Sequence, residues 1–228
     1  LLLRVLVVTR IFPNAKEPLS SPFNRQQFKA LSQLATVEVL ATIPWFPGVR
    51  RFAGKSPAAK LVDVPATDHI DGMNVAHPRF LYVPRLGHAL GVPLYAASLL
   101  PHLWRRRHDF DVILGAWAYP DAAAIVALGR ALGLPTVVKC HGSDINVVGE
   151  RPSLRWQLGQ LLPGANRVVV VSRALGDKVV ALGVDQARVR VVYNGIDDQL
   201  FRPRDRAEAR RRLGLPPDKK LVLYVGRL

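Results

Sequence analysis

Apolar runs bounded by turn residues recur along the chain at a spacing that predicts strands alternating with helices. Arg4–Thr9 (RVLVVT) is a continuous β-branched run, the pattern of a strand buried on both faces. Residues 22–34 carry Phe23, Gln27, Leu31 and Leu34 at helical spacing, with Ser21-Pro22 as N-cap and first-turn proline. A second strand is predicted at 37–42 (VEVLAT). Residues 44–65, rich in Pro, Gly and basic side chains, show no period, and Asp71-Gly72 predicts a turn before an extended run over 74–84. From residue 111 the rhythm is regular. Strands are predicted at 111–114, 136–140, 167–171, 188–192 and 221–225. Between them lie a helix over 120–132, one carrying Leu154, Leu158, Leu161 and Leu162, one carrying Leu175, Val179 and Leu182, and one over 207–213.

Strands joined through helices pair in parallel, and right-handed crossovers place the helices on both faces. The expected fold class is therefore α/β, a doubly wound, mostly parallel Rossmann-like sheet over residues 1–215. The terminal strand pattern and the Gly226-Arg227 turn lead us to expect a second domain beginning at 216. No internal repeat is present. With 49% hydrophobic and 21% charged residues, disorder is excluded. A single cysteine, Cys140, excludes a disulfide scaffold and a cysteine-based metal cluster. With that single cysteine and no Asn-x-Ser/Thr sequon, a reducing, cytoplasmic setting is the default expectation, and no run of apolar residues is long enough to span a bilayer.

Charge adds a partner question. Lys and Arg total 32 against 17 Asp and Glu, a net charge of +15, and arginine outnumbers lysine 24 to 8. Such a balance suits nucleic acid or an anionic lipid surface. The basic runs Arg50-Arg51, Arg105-Arg106-Arg107 and Arg210-Arg211-Arg212 are separated rather than concentrated on one helix or ribbon, although the first adjoins Trp45-Phe46-Pro47, and no nucleic-acid partner is expected. The second run ends an apolar stretch, 93–104, in the manner of a segment lying on an anionic bilayer. Cations at solvated helix ends are the simpler account.

In doubly wound folds ligands bind beyond the carboxyl ends of the strands. There the sequence offers Ser20-Ser21 in the first loop, Trp117 and Tyr119 after 111–114, His141-Gly142-Ser143-Asp144 after 136–140, Asn194-Gly195 after 188–192, and Arg227. The cluster at 141–144 is the densest. A neutral imidazole can donate to a ligand hydroxyl, and Gly142 admits close backbone approach. Ser143 and Asp144 serve equally well as caps of the next helix. Asn194-Gly195 is also an ordinary turn pair. A Cys140–His141 dyad is unattractive, because adjacent strand residues point to opposite faces. Asp109-Phe110-Asp111 has a metal-holding spacing but precedes a strand, on the wrong rim, and is taken as structural. Phosphate-loop, dinucleotide, zinc-protease and serine-hydrolase motifs are absent, and four scattered glutamates do not suggest a carboxylate-pair glycosidase.

The order of these loops resembles the amino-terminal domain of family-4 glycosyltransferases, GT-B enzymes that use a nucleotide-sugar donor. The likeness rests on Arg4 to Phe12 with its following loop, LPTVVKCHGSDI over 134–145, VVVVSR over 168–173, VVYNGID over 191–197 with Phe201 and Pro203, and YVGRL over 224–228. Phe-Pro-Asn at 12–14 and His-Gly-Ser-Asp-Ile at 141–145 look most like enzymes building bacterial surface polysaccharides of the teichuronic-acid type. The resemblance implies two Rossmann-like domains around a cleft and transfer with retention to a lipid-linked or polysaccharide acceptor. No cofactor or essential metal is implied, and the location is the cytoplasm or the inner face of the plasma membrane. By motif, His141 and Asp144 would be catalytic, and Ser143, Asn194, Gly195 and Arg227 would bind donor. Ser20, Ser21, Trp117 and Tyr119 would face the acceptor. Two departures stand out: Ser20-Ser21-Pro22 replaces a frequent Gly-Gly pair, and the lysine and paired glutamates of the donor site lie beyond residue 228. The chain alone is therefore expected not to turn over. A nucleotide-sugar epimerase of the same plan, or a non-catalytic basic binding module, are the alternatives.

Overall fold

The computed structural model describes residues 2–52, 56–83, 87–147 and 150–224. Its strands are β1 (Arg4–Thr9), β2 (Thr36–Ala41), β3 (Ile43–Trp45), β4 (Thr67–Ile70), β5 (Met73–Ala76), β6 (Arg79–Leu81), β7 (Val112–Ala116), β8 (Thr136–Cys140), β9 (Arg167–Val170) and β10 (Val189–Val191). Eight of them form one sheet in the order β10-β9-β8-β7-β1-β2-β5-β4, parallel throughout except for the β4–β5 edge hairpin. The helices are α1 (Pro22–Ser32), α2 (Pro57–Lys60), α3 (Gly87–Arg105), α4 (Ala123–Leu132), α5 (Ser143–Asn146), α6 (Pro152–Leu161), α7 (Arg173–Val180) and α8 (Arg206–Arg212). This is the expected α/β Rossmann-like fold. Among the described residues no helix is long and apolar enough to cross a membrane.

Side-chain alternation sorts the core into two layers. Leu6 and Val8 of β1 face a cluster built with Val92, Tyr95 and Leu99 of α3, Ile125 of α4 and Leu158 of α6. Val5 and Val7 face the opposite cluster, with Phe12 and with Phe28 of α1. The two rings stack with centroids 5.6 Å apart.

Departures from the expected elements have local causes. Residues 44–65 are not wholly irregular: β3 pairs with β6, and a 3-10 turn (Val49–Phe52) and α2 bury Phe46, Val49, Ala58 and Ala59 together. The Asp71-Gly72 turn forms, both residues at positive φ, but it closes a hairpin whose first strand, β4, alternates too weakly to be legible. The run over 74–84 breaks into β5 and β6 at Pro78. The stretch before α4 is a π turn (Ala118–Ala122), entered because Gly115 leaves room for Ala122: a Cβ at Gly115 would lie 2.8 Å from the Ala122 Cα. Asp111, taken as structural, is engaged by Arg4, whose Nη2 lies 2.8 Å from Oδ1.

Contacts divide the chain into Leu1–Asn194, which holds both sheets, and Gly195–Leu228. In the second unit Asp205 caps α8 by accepting from the Glu208 N–H at 2.7 Å, and Arg210 donates to the Pro216 and Lys219 carbonyls at 2.9 and 2.8 Å. Leu221 to Tyr224 carry no strand, contrary to expectation; extended residues become a strand only against a ladder partner. Val225 and Arg227 lie outside the described residues.

Candidate active site

The carboxyl end of β8 sets the site. Val138 and Cys140 point into the core under α4, so Lys139 and His141 project to the other side, toward α1. Lys139 is only 2% exposed, yet no carboxylate is among its hydrogen-bond partners. Its ammonium donates to Gln27 Oε1 of α1 and to Asn194 Oδ1 at 3.1 Å. Burial lowers its pKa to about 8. The folded state therefore carries a desolvation cost at neutral pH that lessens as pH rises from about 8 toward 10.5. Lys139→Met is expected to stabilise the protein by about 1–2 kcal/mol at pH 7, read as a raised midpoint in urea, because it removes a buried, uncompensated charge.

The His141 ring sits between Phe23, 4.9 Å away, and Trp117, 6.1 Å away. Both ring nitrogens are buried and neither has a hydrogen-bond partner among the described residues. Desolvation, and secondarily the Lys139 charge, lower the imidazole pKa to about 4, so the ring is neutral at physiological pH. A clamped neutral imidazole keeps one N–H donor and one lone pair unused, a state that costs about 1–3 kcal/mol per buried group unless a ligand completes it.

The neighbouring residues take distinct parts. Asp144 is fully buried, accepting the Ala118 and Gly142 N–H groups at 2.8 Å and the His141 N–H at 3.0 Å. Burial pushes its pKa up while these backbone donors pull it down. Its carboxylate is spent on holding the β8 loop to the Trp117 turn. Gly142, at φ 122, lets the chain fold back over that carboxylate. Ser143 is exposed at the start of α5. Trp117 itself adopts φ 117, held by its N–H to the Lys139 carbonyl and by its own carbonyl accepting from Ala122, both at 3.0 Å. A non-glycine residue there stores about 1–3 kcal/mol of strain, which keeps the indole against His141.

Ser20 and Ser21 precede α1, whose first turn places Phe23 on His141. Ser21 caps α1 in the left-handed region, φ 48, ψ 57, with no side-chain bond to the helix. Ser21→Gly is expected to add about 1 kcal/mol to thermal stability by relieving that conformation. Asn194 ends the first unit, while Gly195 belongs to the second and has open space around it. The Asn-Gly pair forms no assigned turn: residues 192–197 carry no regular secondary structure. The described residues contain no group of three or more His, Cys, Asp or Glu able to hold a metal ion.

Trp117, which packs on the imidazole, also lines a cavity of about 370 Å³ together with Arg10, Phe80, Tyr82, Leu94 and Tyr119 among others. Arg10 is fixed there by the buried Asp121: its Nε meets Oδ1 at 2.6 Å and its backbone N–H meets Oδ2 at 2.7 Å. Sequence reasoning passed over Lys139, Arg10 and Asp121. A lysine inside TVVKC, two positions from His141 and so on the same side, was the one visible signal.

Comparison with known proteins places this geometry in a family. Bacillus subtilis TuaC, named for teichuronic acid biosynthesis glycosyltransferase activity, is 28% identical over 232 residues, covering 99% of this chain and 59% of that protein. D-inositol 3-phosphate glycosyltransferase 1 of Catenulispora acidiphila is 32% identical over 179 residues, 72% of this chain and 41% of the relative. The chain thus spans about three fifths or less of these curated relatives' length. Anabaena Alr3699/HepE, solved with UDP and glucose, superposes with a TM-score of 0.53 at 16% identity, covering 94% of this chain and 50% of that one, a likeness of fold. Residues 49–200 match the model of Glycosyltransferase Family 4, two thirds of the chain and nearly all of the β7–β10 rim, and the chain belongs to that family.

Proposed function

We propose that this chain is the acceptor-side domain of a two-domain glycosyltransferase that takes sugar from a nucleotide-sugar donor. Transfer proceeds with retention of configuration to a lipid-linked or polysaccharide acceptor, without an essential metal. One observation carries the reading: a neutral, aromatic-clamped His141 whose ring nitrogens have no partner among the described residues, on the rim where this fold binds ligands. In that role the imidazole donates to a hydroxyl of the donor sugar as positive charge develops at its anomeric carbon, and Asp144 holds the loop that aims it. Lys139 supplies fixed positive potential for the departing diphosphate. Trp117 and Tyr119 receive the acceptor in the adjoining cavity, with Ser20 and Ser21 at its approach. Ser143 and Asn194 serve the donor side.

The test uses the intact protein with a panel of nucleotide sugars, with and without lipid-linked acceptor and with chelator present. Acceptor-dependent release of nucleotide, unaffected by chelator, with the donor's anomeric configuration kept in the product by NMR, is the expected result. Interconversion of the donor sugar without acceptor would transfer the reading to a nucleotide-sugar epimerase. Release of nucleotide with inverted product would overturn the retaining assignment.

A further inference from the structure

Helix interiors favour alanine over glycine, yet Gly91 sits inside α3. What it faces accounts for it. A Cβ at Gly91 would lie 2.7 Å from the Tyr119 Oη, 3.3 Å from Cζ and 3.4 Å from Cε1. The α3 backbone thus runs against the end of the Tyr119 phenol more closely than any side chain allows. Both residues line the 370 Å³ cavity.

Gly91, Leu94 and Ser98 follow one another on one face of α3. Leu94 is a further part of the cavity wall, and Ser98 fastens the same face to β6, its Oγ accepting from the Leu81 N–H at 3.0 Å. The Tyr95 and Phe80 rings pack beside this bond with centroids 4.8 Å apart. Helix α3 is therefore held to β6 within two turns of Gly91 and cannot back away from an added side chain. Tyr119 is buried in the core, and the open space it borders is the cavity. A ring pushed off Gly91 yields into that space. The wall is mainly apolar and aromatic, and its charged side chains among the described residues are Arg10 and Arg151, a lining that suits a ring-sized apolar group rather than a polar chain.

We infer that Gly91 is a positioning residue for acceptor selection: its bare backbone seats Tyr119 back against α3 and so sets the depth of a cavity that admits a ring-sized apolar part of the acceptor. The inference rests on the proposed reading that the acceptor enters this cavity, so the shape of the cavity and its use are tested apart. Shape is read in the intact protein with anilinonaphthalene sulfonate, an apolar ring system carrying one anionic group, with neither donor nor acceptor present. Leu94→Trp fills the cavity from its α3 wall and identifies the component of probe binding that belongs to it. Gly91→Ala should weaken that component about tenfold. In a Tyr119→Phe background the clashing oxygen is gone, and the same Gly91→Ala change should weaken it less than about twofold, a rescue that general loosening of α3 would not show. Use is read in transfer assays, where Gly91→Ala should raise the acceptor KM about tenfold while kcat and the donor KM stay within about twofold. No Leu94-sensitive component, an unchanged probe affinity in Gly91→Ala, or an equal loss in the Tyr and Phe backgrounds would each overturn the inference. The expected probe result with an unchanged acceptor KM would instead overturn the reading that acceptor enters here, and the selectivity assigned to Gly91 with it.

Discussion

Replacing His141 with alanine is expected to lower turnover of the intact enzyme by about a hundredfold or more, the usual cost of losing one donor aimed at a transition state. The ring is held by Phe23 and Trp117 and its nitrogens have no competing partner among the described residues, so little reorganisation is needed when substrate arrives. The loss should fall on kcat more than on KM in donor-dependent transfer assays. His141→Phe separates chemistry from folding. It fills the same aromatic slot without the buried nitrogens and should be inactive yet at least as stable as the parent. The pH dependence carries a sign. With a folded pKa of about 4 against 6.5 in the unfolded chain, the unfolded state takes the proton first as pH falls. His141 therefore removes stability progressively from about pH 6.5 down to about 4, and the Phe variant should lose less over that window in urea titrations. Equal acid sensitivity of the two proteins would show that His141 is not held neutral by its surroundings.

Replacing Arg10 with methionine is expected to destabilise the fold by about 3–4 kcal/mol at neutral pH, because it strands a buried carboxylate. Asp121 is fully buried, and Arg10 supplies both its side-chain partner at 2.6 Å and a backbone donor at 2.7 Å. Burial already pushes the Asp121 pKa up against the pull of Arg10, and removing the guanidinium would push it further. The penalty should shrink as pH falls and Asp121 takes a proton, which separates an uncompensated charge from a simple packing defect. In a chain of this size the loss corresponds to roughly 6–16 °C in thermal midpoint. Asp121→Ala should cost less, because the Arg10 side chain, 31% exposed, can turn toward water. The same pair ties the loop after β1 to the π turn that carries Tyr119 and follows Trp117, so the Arg10 variant should also lower affinity for acceptor.

Much of this was written locally. β1 and β8 were legible to the residue, because a β-branched run needs only its own neighbours to declare itself. α1 was legible from its first-turn proline and its apolar spacing. Hairpin strand β4 was not, since an edge strand with polar neighbours alternates weakly. The expected strand near residue 221 was legible as a pattern and is not formed over Leu221 to Tyr224, because pairing is a property of two strands. Within the site, His141 and Trp117 could be named from their position after a strand, but their use could not.

By itself the sequence determined the alternation of strand and helix, the rim on which polar residues gather, and the side of β8 shared by Lys139 and His141. All of these follow from periods of two and 3.6 residues acting over short distances. Only the tertiary structure decided that Lys139 meets Gln27, 112 residues away, that Arg10 meets Asp121, and that both His141 nitrogens lie buried with no partner among the described residues. Desolvation and long-range pairing arise when crossovers bring distant segments together and exclude water, and neither quantity has a local signature in the chain.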